Sequence, residues 1–228
     1  MKRVFSFSLF GSAEKYWHGL LVNIDVIQKN FPGWEVYVWY GGGTPDDIVS
    51  KIKEIPIVKL IPTNETGLIN MSYRFFSIDD PEVEVAIIRD ADSRVYERDR
   101  MCIQEFVNSN KLFHIIRDHP NHHHRIMGGM WGIKKGLLHK KLQDIFIEWR
   151  QTNTATEFWN DMDFLRDIFY PAVIPVAMIH DELQNFEVNQ IKTPFPYPLD
   201  DGKKHFIGQI YHFDDKQNEM PMCPYRKG

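Results

Sequence analysis

Val83-Glu84-Val85-Ala86-Ile87-Ile88-Arg89-Asp90-Ala91-Asp92 is an apolar run that ends abruptly in two carboxylates. Its length and its β-branched content predict a buried strand over 83–88, and buried strands of this kind belong to parallel sheets covered on both faces. Upstream the same alternation recurs. Val4 to Phe10 reads as a first strand broken by Ser6 and Ser8, Tyr16 to Asn30 as a helix on Trp17, Leu20, Leu21, Ile24 and Ile27, and Glu35 to Tyr40 as a second strand ending in Gly41-Gly42-Gly43. Thr44-Pro45-Asp46-Asp47 predicts a helix start with Thr44 as N-cap and an end near Glu54. Ile57 to Ile61 reads as a third strand and Ile69 to Ile78 as a helix. The βαβα order predicts one α/β domain over residues 1–228, with a mainly parallel central sheet flanked by helices and ligands at the carboxyl ends of its strands. Asp90 falls at such an end.

The second half, 93–228, is less regular. Helices are predicted over Arg100 to Asn108, Leu137 to Arg150 and Asp161 to Tyr170, a short strand over Phe113 to Ile116, and a loop rich in His and Gly over His122 to Gly132, and Ile174 to Ile179 precedes the loop-dominated end. A tail rich in Pro, Asp and Gly follows.

Composition narrows the function. With 27 Lys and Arg against 31 Asp and Glu, the net charge of -4 offers no general attraction to nucleic acid or to an anionic membrane. Cys102 and Cys223, the two cysteines, lack the spacing of a disulfide framework or a zinc site. The apolar run after Met1-Lys2-Arg3 is short and interrupted by serine, and none reaches the ~18 residues of a membrane span. A cytoplasmic location is the expectation, and the sequons at Asn64 and Asn70 are read as chance.

Two carboxylates two residues apart repel unless a cation or proton intervenes, and oxygen ligands suit manganese or magnesium, which complete their shells with substrate phosphates. The plainer alternative is an acidic loop paired with Arg89, Arg94 and Arg98. His122-His123-His124 reads as a solvated loop, because three consecutive side chains diverge. Trp149, Phe158, Trp159 and Phe164 read as core.

Val85 to Arg94 resembles the strand and DXD motif of nucleotide-sugar glycosyltransferases of the GT-A type. Phe113-His114-Ile115-Ile116-Arg117-Asp118-His119-Pro120, with Met127-Gly128-Gly129-Met130-Trp131-Gly132, resembles the donor-side loop of glycosyltransferase-like domains of bacteria and of large DNA viruses of algae. Asp161-Met162-Asp163-Phe164-Leu165 resembles their DQxFL helix start, with Met162 in place of Gln, and His205-Phe206-Ile207-Gly208 their HFxG element, without the Lys-Pro-Trp that follows in some retaining families. The stereochemistry of transfer therefore stays open.

The resemblance implies a GT-A-like fold, with 1–92 as the nucleotide-binding half and 93–228 as the half for donor sugar and acceptor. It implies a metal-dependent glycosyltransferase moving a sugar from a nucleoside diphosphate sugar, UDP-sugar favoured, to a hydroxyl acceptor such as a glycan. Asp92 and Asp90 would hold the metal, manganese before magnesium, with His205 as third ligand and His212 as fallback, and Asp90 alternatively on the ribose. Phe7 and Ser8 would contact base and ribose, and Arg74 would offset phosphate charge. Asp118, His119, Gly128, Gly129 and Trp131 would line the sugar, and Asp161, with Asp163 as the alternative, would act on the reacting sugar or acceptor. Two other readings stay open: a haloacid dehalogenase-type phosphatase, whose Asp-x-Asp also follows a strand and whose later acidic pair Asp200-Asp201 could imitate, and a sugar- or nucleotide-binding module without turnover.

Overall fold

The structure, a computed structural model, describes residues 1–153, 160–187, 191–196, 205–213 and 218–222. Phe158, Trp159, Asp200, Asp201 and Cys223 lie outside them. Strand β1 (Lys2–Leu9) leads into helix α1 (Glu14–Asn30), β2 (Glu35–Tyr40), α2 (Asp46–Lys53) and β3 (Val58–Pro62). A helical turn α3 (Asn70–Tyr73) and a 3-10 segment, Arg74–Asp79, precede β4 (Val83–Arg89). Then come α4 (Glu97–Asn108), β5 (Phe113–Arg117), β6 (Met130–Lys134), α5 (Leu142–Thr152), α6 (Asn160–Phe164), a wider π turn over Leu165–Phe169, α7 (Tyr170–Val173) and β7 (Ala177–Asp181). A hairpin of β8 (Tyr211–Phe213) and β9 (Glu219–Pro221) stands apart from the main sheet. Among the described residues no helix is long and apolar enough to cross a membrane.

The main sheet has seven strands in the order β3-β2-β1-β4-β6-β5-β7, and β6 runs antiparallel to both of its neighbours while the other pairings are parallel. The chain winds outward from β1 to β3, then crosses to the other side of β1 to lay down β4. That reversal opens a crevice at the carboxyl ends of β1 and β4, the place where open α/β sheets hold ligands.

The alternation in β1 is explained by what covers each face. Phe5, Phe7 and Leu9 are buried with Leu20, Ile24 and Ile27 of α1. Val4, Ser6 and Ser8 point to the other face, under the 3-10 segment, and a buried hydroxyl there requires a partner. Ser6 Oγ finds two, donating to the Arg74 carbonyl at 2.6 Å and lying 2.7 Å from Ser77 Oγ.

Several local expectations change. β6 begins inside the segment that the glycines of 128–132 mark as a loop, and it runs past the end of that segment. Gly132 is a packing glycine: a Cβ there would stand 2.8 Å from Ile87 Cδ1. The helix expected over 69–78 divides into α3 and the 3-10 segment. α5 begins at Leu142 rather than Leu137, because the Asp79 carboxylate accepts the free N–H groups of Leu142 and Gln143 at 2.6 and 2.9 Å, a cap supplied from outside the helix. Thr44 is not the N-cap of α2; Pro45 holds that place, and Thr44 Oγ1 donates to the Gly41 carbonyl at 2.9 Å.

Candidate active site

The crevice collects charge. Asp90, directly after β4, keeps its side chain 41% exposed. Arg74 arrives from the 3-10 segment with its backbone gripped on both sides, its carbonyl by Ser6 and its N–H donating to Ser8 Oγ at 3.2 Å. Its guanidinium is nearly closed to solvent and forks between two carboxylates, Nη1 to Asp90 Oδ1 at 2.5 Å and Nη2 to Asp161 Oδ2 at 3.3 Å. The Arg74 Nε is buried without a hydrogen-bond partner among the described residues. Asp161, on α6, is buried; that burial, with the negative charge of Asp90 adding to it, lifts its carboxyl above the usual range against the pull of Arg74.

Asp92 lies deeper. Its loop is seated on α1, where buried Asn23 donates to the Ser93 carbonyl at 2.7 Å and accepts the Val95 N–H at 3.1 Å. A Cβ on Gly19 would collide with the Ala91 carbonyl, so glycine is what lets α1 approach. The Asp92 carbonyl accepts the Tyr211 N–H at 2.9 Å, which ties the tail hairpin to the site. Burial and the nearby Asp90 charge raise the Asp92 carboxyl, and Lys15, in the first turn of α1, opposes them with an ammonium 2.8 Å from Asp92 Oδ2.

Gly128 and Gly129 border the same crevice. A Cβ on Gly129 would overlap the Asp90 carboxylate, and one on Gly128 would stand 2.6 Å from Asp161 Oδ2. The glycines thus leave room for the two aspartates. Trp131 serves this turn from below: its indole N–H donates to the Gly128 carbonyl at 3.1 Å while its ring stacks on Phe113 in the core. It is fully buried and offers no face to a sugar.

Other residues expected here are engaged elsewhere. Phe7 is core, closed off on the α1 face of the sheet, and presents nothing to a base. The Asp118 carboxylate receives both arms of Arg98, at 2.8 and 2.7 Å, and the Ile207 N–H at 2.9 Å, so its work is to dock the tail. His119 stacks on Phe206 with centroids 4.2 Å apart. His205 stacks on Tyr96 and sets Nδ1 2.5 Å from the Tyr211 hydroxyl. Among the described residues no three His, Cys, Asp or Glu side chains converge to hold a metal, so His205 is not gathered with Asp90 and Asp92; His212 is exposed on the hairpin. Asp163 pairs with Arg166 on the outer side of its helix at 2.6 Å. His122, expected in a solvated loop, is buried with Nδ1 accepting the Asp118 N–H at 3.0 Å, and burial takes its pKa down to about 3. Trp149 and Phe164 are core, as their spacing predicts.

Asp90 and Asp92 form a donor set that suits a small hard cation, which typically takes one or two carboxylates and leaves its remaining positions to water and phosphate. The open side of Asp90 fits that use, and Gly129 makes the room that its carboxylate occupies. Lys15 and the seat on Asn23 are not found by sequence reasoning. A lysine in the first turn after the first strand is the available signal for the former, whereas the latter depends on packing alone.

No protein-family model matches the chain, and no curated protein matches it. Solved structures do resemble it. A mannosyltransferase, PcManGT from Pyrobaculum calidifontis in complex with GDP-Man and Mn2+, aligns at 17% identity and TM-score 0.46 over 60% of this chain and 45% of its own. S. aureus TarS 1-349 aligns at 17% identity and TM-score 0.47, over 71% of this chain and 53% of its own. A mycobacterial protein aligns at 13% identity and TM-score 0.40, covering 82% of this chain and 69% of that one. The chain spans about half the length of the first two, 45% and 53%.

Proposed function

We propose that this chain is a metal-dependent glycosyltransferase that moves a sugar from a nucleoside diphosphate sugar, UDP-sugar favoured, to a hydroxyl acceptor such as a glycan. The observation that carries the reading is the fork of Arg74 between Asp90 and Asp161 at the crevice where the sheet reverses. Asp90 and Asp161 belong to two separate segments that carry the resemblance, the DXD strand end and the helix start, and Arg74, which the resemblance implies for phosphate charge, joins them.

Three carboxylates, Asp90, Asp92 and Asp161, face two cations, Lys15 and Arg74, so the cluster is formally negative by one. A pyrophosphate approaching it is repelled until a further cation arrives. Manganese, or magnesium, held by Asp92 and Asp90 would supply that charge and stabilise the diphosphate as it leaves. Arg74 is placed to share the phosphate oxygens through its guanidinium fork. Ser8 acts by fixing the Arg74 backbone, and the turn at Gly128 and Gly129 gives the Asp161 and Asp90 carboxylates room to face a donor sugar. Asp161, with its raised proton affinity, is suited to accept a proton from the acceptor hydroxyl if the sugar is inverted.

The test is a panel of nucleotide sugars assayed for hydrolysis and for transfer to glycan hydroxyls, with and without Mn2+. Metal-dependent release of a nucleoside diphosphate supports the reading. Phosphate released from simple monoesters, or binding with no turnover for any donor and acceptor, contradicts it.

A further inference from the structure

We propose that Lys15 is the resident counter-ion of Asp92, that an entering divalent cation must displace it, and that it then turns to the diphosphate, so that metal and nucleotide bind as a coupled pair. The inference rests on the reading of Asp90 and Asp92 as metal ligands.

Three observations carry it. Lys15 Nζ lies 2.8 Å from Asp92 Oδ2, and the two side chains are 31% and 8% exposed. The carboxylate is thus closed to solvent while the ammonium above it is not. Asp92 is held in place: its carbonyl is bonded to Tyr211 and its loop is seated on Asn23. Lys15, in the first turn of α1, reaches Asp92 on a flexible four-carbon stem, with its ammonium also 4.4 Å from the centre of the Tyr16 ring. Finally, Arg74 is already divided between Asp90 and Asp161, whereas Lys15 can change partner without stranding a buried carboxylate once a metal has taken Asp92.

A univalent ammonium and a divalent metal cannot share one carboxylate oxygen without strong repulsion. Metal alone must therefore break an ion pair and leave Lys15 beside its own double charge. A diphosphate removes that cost, because its oxygens accept the displaced ammonium. Each ligand improves the site for the other by the same factor, as linkage requires.

The experiment titrates Mn2+ into the full chain, following free Mn2+ by electron paramagnetic resonance, first alone and then with saturating UDP or GDP. Thermal melts establish that each variant is folded. For the unaltered protein, Mn2+ should bind weakly alone and at least about tenfold tighter with one of the diphosphates. Lys15→Met should bind Mn2+ alone at least about tenfold tighter than the unaltered protein, since the competing charge is gone, and gain less from the diphosphate, keeping the part that comes from direct attraction between metal and phosphate. Lys15→Arg, which keeps the charge, should behave like the unaltered protein. If the unaltered protein shows diphosphate-dependent Mn2+ binding but Lys15→Met binds Mn2+ no tighter, the role of Lys15 is overturned while the metal reading stands. Lys15→Arg behaving like Lys15→Met would overturn that role too, because charge would then not be what matters. If Mn2+ fails to bind even with UDP or GDP, both fall together.

Discussion

Arg74 and Asp161 meet at 3.3 Å across 87 residues of chain, both almost closed to solvent. A buried carboxylate so placed depends on its partner, and removing only one member of such a pair leaves a stranded charge. Arg74→Met should therefore lower stability by about 3 to 5 kcal/mol in urea titrations, and adding Asp161→Asn should restore much of it. Simple addition of the two losses would show that the pair is not coupled.

Asp161→Asn alone separates chemistry from structure. If Asp161 accepts the acceptor's proton, turnover should fall at least about a hundredfold with donor affinity nearly intact. Normal turnover per folded molecule would remove Asp161 from the chemistry. The same variant has a signature in pH. The Asp161 carboxyl is raised above its ordinary 3.8 in the folded chain, so between that value and the folded one the native state binds more protons than the unfolded state. Ionisation of Asp161 then subtracts stability as pH climbs through that window, and Asn has no such loss. In the presence of a chelator, the melting temperature of Asp161→Asn relative to the unaltered protein should rise between about pH 3.5 and about pH 7. A constant offset over that range would contradict the raised carboxyl.

Much of this site is legible in the sequence because its residues stand at ends of strongly patterned elements. Asp90 follows an apolar strand and Asp161 opens a helix, and the order of strands and helices puts Asp90 at the carboxyl end of a strand in the sheet. The failures share a cause. Trp131, Asp118 and His119 are drawn to the sugar by their neighbours in sequence, but a tryptophan that packs on Phe113 and an aspartate claimed by Arg98 are decided by partners that only the folded chain supplies. β6 stays hidden because Gly132 weakens any strand pattern while its packing against Ile87 demands glycine.

The role of Asp118 in docking the tail makes its own prediction. Asp118→Ala takes the two-armed carboxylate partner from the buried Arg98 guanidinium and frees the Ile207 N–H, so stability should drop by about 3 to 5 kcal/mol. Affinity of the folded protein for Mn2+ with diphosphate should change little. A selective loss of donor-sugar binding, with stability unchanged, would return Asp118 to the sugar site.

Gly129→Ala probes the space beside Asp90, where an added methyl group overlaps the carboxylate. Metal-supported diphosphate binding should weaken at least about tenfold as Asp90 is pushed aside, because backbone and side chain both crowd the new group. Unchanged binding would mean that Asp90 has room to move and that the glycine serves only the turn.

Calorimetry of UDP and GDP binding, with Mn2+ and then with a chelator, tests the central claim most directly. One of the diphosphates should bind in the presence of Mn2+ and lose at least about tenfold in affinity on chelation, and Asp92→Asn should abolish that dependence on metal. Equal affinity with and without Mn2+, or a metal dependence that survives Asp92→Asn, would contradict the account of Asp90 and Asp92 as the centre of the site.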